Sequence, residues 1–205
     1  MLLRLHIWRR ALYYKKKCGN INQRLLEANK ISFVKNTKIV FVWMLSGFSI
    51  HPDAMSVFPG LIAVNAEWAA RLVLLDREEI RDSYIYTIGH EMTHQSGDYV
   101  FWEAFTKDKR FVNWVAEVHA DYGGAVYAFE GDVQRAIASI EYKAIDNKKD
   151  RDRQAHPSWR HREEYLKVKT FDRKLIQRIA KDTGCINEEL INSVSKYYNT
   201  IVLKN

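Results

Sequence analysis

His90-Glu91-Met92-Thr93-His94 is the stretch that most constrains how this chain can fold. Two imidazoles four residues apart meet one metal ion only if the backbone between them makes about one helical turn. The flanking residues agree with that demand. Asp76 and Glu79 form a capping-box-like start, and Ile80, Tyr84, Ile88 and Met92 follow at spacings of four. On such a helix Glu91 lies about 100° round from His90 and flanks the water that a metal acidifies. Zinc lowers the pKa of that water toward neutrality, and the carboxylate takes its proton as it attacks a carbonyl.

A site of this kind needs a third protein ligand. A histidine six residues beyond His94 would complete the extended HExxHxxGxxH pattern, and Gly97 is in place, but position 100 is Val100. A glutamate on a following helix is the other solution. Glu117 fits, within Trp114-Val115-Ala116-Glu117-Val118-His119-Ala120-Asp121. Asp121 shares its helix face and can receive the N–H of a ligand histidine. Glu103 is the rival ligand; it lies nearer His94 in sequence but has no carboxylate partner spaced in this way. His119 points almost opposite to Glu117 and reads as a packed or exposed histidine.

A length of 205 residues suits one domain with appended arms, and 9 Gly with 3 Pro suits few turns and long elements. The pattern predicts a buried strand over 38–45, a strand or turn over 48–51, a loop around Pro52, Pro59 and Gly60, and a strand over 61–65. Helices follow over 77–94, 111–130, 131–146, 158–169, 173–183 and 187–199, with Gly184 as a stop. Residues 148–153 read as a solvated charged loop. The last two helices have loose helix-turn-helix spacing, but without a basic stripe they read as a packed hairpin. The expected fold is therefore α+β: a small sheet packed against the helix of His90 and His94, then a helical part carrying Glu117. The expected organisation is a basic helical arm over 1–35, a metal-binding domain over 36–170 and a C-terminal helical hairpin over 171–205.

Charge is distributed unevenly. Arg4, Arg9, Arg10, Lys15, Lys16, Lys17 and Arg24 precede the first acid, Glu27, and the remainder is formally neutral. No basic groove for nucleic acid is expected. The charges of the arm break any export-signal core, and the longest apolar run, 39–45, falls far short of the roughly 20 residues that a spanning helix needs. With two cysteines, Cys18 and Cys185, a disulfide scaffold is excluded. A soluble, cytoplasmic protein with free thiols is the expectation.

HEMTH followed by EVHAD resembles the HExxH…ExxAD pattern of the gluzincin family that contains HtpX and the CAAX prenyl proteases. Three further segments are similar to that family: Pro52–Ser56 running on to Gly60–Val64, Leu74–Glu79, and His156-Pro157 with Arg162 six residues after the histidine. The resemblance covers about residues 38–165 and implies a mainly helical zincin domain. It implies one Zn²⁺ per chain bound by His90, His94 and Glu117, with Glu91 as general base and Asp121 in support. It further implies an edge strand, Leu61, Ile62, Ala63 and Val64, that takes a peptide or protein substrate in extended form. His156 would stabilise the oxyanion or orient the site, and Arg162 would brace that segment or the helix of Glu117 and Asp121.

The chain departs from the family pattern in three respects. It has no membrane-spanning segment, it has Asp53 where the family usually has Asn, and it carries an insertion over 98–110 that would form a lid or a packed turn. These differences favour a small soluble zinc endopeptidase. The alternatives are a non-catalytic protein whose metal is structural, and a membrane-surface protease steered by the basic arm.

Overall fold

The computed structural model describes residues 38–42, 54–58, 60–65, 77–95, 98, 108–146 and 150–202. The basic arm, Cys18, the segment over 48–51, Asp76 and Glu103 lie outside them. The described residues form β1 (Lys38–Val42), β2 (Ala54–Phe58), β3 (Leu61–Asn65), α1 (Glu78–Gln95), α2 (Lys109–Phe129), α3 (Val133–Asp146), α4 (Trp159–Leu166), α5 (Arg173–Thr183) and α6 (Glu188–Val202). Among the described residues the fold is mostly helical with one small sheet, an α+β arrangement.

The sheet has the order β1-β3-β2, with β1 parallel and β2 antiparallel to β3. This corrects two expectations. Ala54–Phe58, expected in a loop, is a strand. Residues 61–64 are not an edge: β3 is paired on both sides. Its chemistry explains this, because Ile62, Ala63 and Val64 are all buried, as in a strand covered on both faces. The edge near the helices is β2, a five-residue strand whose Met55 is exposed. Short strands with solvent-facing residues suit edges.

α1 lies at the centre. Ile80, Tyr84, Ile88 and Met92 pack against Ile62 and Val64 of the sheet, which is the packing expected from their spacing. Its other sides meet α2 and α3, so polar residues are buried there as well. Thr87 Oγ1 and Thr93 Oγ1 return to the carbonyls of Ser83 and Gly89, which satisfies their hydroxyls inside the helix. α3 is tied to α1 by Arg135, whose guanidinium forks onto Asp82 at 2.8 and 3.1 Å.

α1 and α2 approach closely because of small residues. A Cβ on Gly124 would lie 3.0 Å from the Tyr86 ring, and one on Gly123 would lie 2.7 Å from Thr93 Cβ. Replacing Gly123 with Ala is therefore expected to lower stability by about 1–3 kcal/mol, read as a fall in Tm, and Thr93→Ala in the same chain should restore part of it.

α5 and α6 are not a separate body. Leu175, Ile176, Ile179, Leu190, Ile191, Val194 and Tyr198 share one core with Phe111, Trp114, Val115 and Val118 of α2. Gly184 ends α5 at φ 77°, and Cys185, a buried free thiol, donates its N–H to Ala180 O. Among the described residues no helix is long and apolar enough to cross a membrane.

Candidate metal centre

The α1–α2 crossing brings together His90, His94 and Glu117, whose potential ligand atoms all lie within 4.8 Å of one another. His90 Nε2 is 3.1 Å from His94 Nε2 and 3.5 Å from Glu117 Oε2, and His94 Nε2 is 3.6 Å from Glu117 Oε1. Donors around a tetrahedral ion at about 2.0–2.1 Å stand about 3.3 Å apart, so the three fit a metal of zinc's size.

The other ring nitrogens are engaged. His90 Nδ1 lies 3.0 Å from Asp121 Oδ1, and His94 Nδ1 lies 2.8 Å from Asp98 Oδ2. Each carboxylate fixes its imidazole with the proton on Nδ1 and leaves the Nε2 lone pair facing inward. Two lone pairs and a carboxylate then converge on one point, an arrangement of acceptors that demands a cation. Without a metal, protons meet that demand. Burial disfavours charge on both histidines, but the carboxylates outweigh it. The pKa of His90 is raised by Asp121 and Glu117, and that of His94 climbs to about 10 beside Asp98 and Glu117. Burial likewise opposes ionisation of Glu117, yet His156, His90 and His94 hold its pKa well below the usual carboxylate range. Metal binding must therefore displace protons.

Asp121 is wholly buried and is held by more than His90. Arg162 donates Nε to Oδ2 at 2.8 Å and Nη2 to Oδ1, and Tyr86 OH donates to Oδ1 at 2.7 Å. Burial alone would raise the Asp121 pKa, but Arg162 and His90 bring it down to about 2. The Arg162 guanidinium also lies 4.0 Å from Glu117 Oε2 and stacks over Trp159 at 4.4 Å. Arg162 thus braces the helix of Glu117 and Asp121.

His156 stands at the rim. Its half-exposed ring places Nδ1 3.0 Å from Glu117 Oε1. The loop that carries it is pinned by residues expected to be only solvated charges. Asp150 accepts from the Trp159 and Arg160 amides, and Asp152 accepts from the Ser158 amide and lies 2.8 Å from His161 Nδ1. The Arg153 N–H donates to the His156 carbonyl at 2.8 Å. Glu91 is buried, and its Oε2 accepts from the Ser56 N–H of β2 at 2.6 Å.

Sequence reasoning missed Asp98, Tyr86, Ser56 and Gln95. Asp98 is four residues after His94 and Tyr86 four before His90, so helical spacing contained a signal for both. Nothing local marks Ser56, which reaches the site from 35 residues away.

His119 lies on the far side of α2, between the rings of Phe171 and Tyr198 at 5.1 and 4.6 Å. It is a packed histidine, not a ligand. Burial pushes its pKa from 6.5 down to about 4. Below pH 6.5 the unfolded chain binds a proton that the fold rejects, so stability falls as pH drops from 6.5 toward 4, by up to about 3 kcal/mol. His90 and His94, whose pKa values the fold raises, act in the opposite sense, so the His119 contribution is read as a difference: in urea unfolding at pH 7.5 and 5, His119→Phe should keep more of its stability at pH 5 than the wild type. An equal pH dependence in both proteins would show that His119 contributes nothing to it.

No family model, no curated protein and no solved structure matches this chain.

Proposed function

We propose that the protein is a zinc-dependent endopeptidase, a minimal gluzincin of the kind its two motifs resemble. The observation that carries this reading is the convergence of His90, His94 and Glu117, with Glu91 on the same helix beside them. Two imidazoles and one carboxylate are a donor set that suits zinc and leaves a position for reactants. Bound zinc supplies a Lewis acid that polarises a carbonyl and makes water a nucleophile at neutral pH.

The chain's own residues supply the rest. Glu91 accepts the proton of the attacking water on its carboxylate and delivers it to the leaving amine. Asp121 and Asp98 hold the two imidazoles in the ligating tautomer. His156 is placed at the mouth, where its ring can donate to an oxygen that gains negative charge. An extended peptide is proposed to pair with the outer edge of β2, which has no strand partner among the described residues, instead of β3. In support, the Ser56 N–H bonds Glu91, so β2 lies beside the general base.

The test is metal content. Protein purified without added metal should hold about one zinc per chain, and Glu117→Ala should lose it. A wild-type chain that takes up no metal even when zinc is supplied would remove the basis of this reading.

A further inference from the structure

Gln95 lies one turn beyond Glu91 on α1, so both side chains leave the helix on the same face. That face meets the β2–β3 hairpin. Gln95 Oε1 accepts from the Gly60 N–H at 2.6 Å. Its Nε2 donates to Ser56 Oγ and, at 3.4 Å, to the Leu61 carbonyl. One side-chain amide thus fastens the turn, where Gly60 has φ 89°, and both strands that leave it. The attachment falls where the hairpin's own pairing is irregular, since the register shifts between Ser56 and Phe58 opposite Ile62 and Leu61. An interrupted ladder leaves backbone groups without strand partners. Gln95 supplies partners from the helix.

We propose that Gln95 is a positioning residue, a latch that holds the β2–β3 hairpin on α1 and so places the edge of β2 beside Glu91. α1 is packed by α2 and α3 and, through Ile80, Tyr84, Ile88 and Met92, by Ala54, Ile62 and Val64 of the hairpin, so the apolar cores of helix and hairpin stay together when the latch is lost. What the latch holds is the turn end. There the polar ties to the helix are those of Gln95 and the Ser56–Glu91 hydrogen bond. Loss of the latch should therefore weaken docking of an extended substrate more than the chemical step. That functional consequence rests on the peptidase reading; the latch itself does not.

The experiment compares wild type, Gln95→Leu and Gln95→Glu in the full chain with zinc supplied. The Glu variant keeps an acceptor for Gly60 but cannot donate to Ser56 or Leu61. Three quantities are measured: amide hydrogen exchange at Ser56 and Gly60, zinc per chain, and KM and kcat on an extended fluorogenic decapeptide. In Gln95→Leu, exchange at both amides should quicken by about ten-fold or more while zinc stays at the wild-type level. KM should rise about ten-fold and kcat change by less than about three-fold. Gln95→Glu should keep much of the Gly60 protection and recover part of the KM.

Unchanged exchange in Gln95→Leu would overturn the latch, whatever the activity. Quickened exchange with unchanged KM, or a loss carried by kcat together with lost zinc, would overturn the positioning role. A wild type that binds zinc but cleaves nothing would end the peptidase reading, and the exchange comparison would still decide the latch. Should Gln95→Leu fail to fold, Gln95→Glu carries the same comparison through the Ser56 amide.

Discussion

Glu91→Gln is expected to keep its zinc and lose hydrolysis by about 10²–10⁴-fold, the usual contribution of a general base. The side chain it replaces is buried, and its Oε2 receives the Ser56 N–H. A Gln carbonyl oxygen can accept the same bond, so the fold and the neighbouring ligands are left in place. What is removed is a carboxylate able to hold a proton. Zinc content, thermal unfolding and peptide hydrolysis measured side by side test this. Near-normal cleavage by Glu91→Gln would show that another group takes the proton. Equal inactivity of both proteins, with zinc bound, would point to a structural metal.

The second large effect is expected at Asp121. This carboxylate is fully buried and receives hydrogen bonds from His90, Arg162 and Tyr86. In Asp121→Asn the Arg162 guanidinium loses its hydrogen-bonded charge partner, with Glu117 left 4.0 Å away, and meets an amide that also donates. Breaking a buried pair from one side costs about 3–5 kcal/mol. His90 loses the carboxylate that orients it, so zinc affinity should fall by about 10–100-fold. The double change Asp121→Asn with Arg162→Met separates the two consequences. It removes the unpaired charge and should recover part of the stability, but it cannot restore the orientation of His90, so zinc affinity should stay low. Full recovery of affinity in the double variant would show that Arg162, not Asp121, governs the ligand.

The site is legible in the sequence where chemistry repeats at helical spacing. The ligand pair of α1 and the Glu117–Asp121 pair of α2 each sit one turn apart, and an isolated helix would already present each pair on one face. The helices of the C-terminal part were legible for the same reason, together with the glycine that ends α5. β2 was not. Its five residues are flanked by Pro52 and by Pro59-Gly60, turn signals that read as a loop, and pairing with β3 makes them a strand. The pairing partner also decided that 61–65 is a central strand. Nor could local pattern show that Asp150 and Asp152 cap and pin the His156 loop, since their partners are up to ten residues away and on another element.

The sequence by itself determined which groups could share a metal, because ligand type and one-turn spacing are properties of a single helix. Whether they do share one was decided by tertiary structure. Gly123 and Gly124 let α2 lie against Thr93 and Tyr86 at a distance that any side chain there would widen. That close crossing brings Glu117 to the two imidazoles, and Asp121 to His90 across 31 residues of chain. The meeting depends on how two helices pack, and packing is settled by all the residues between them at once.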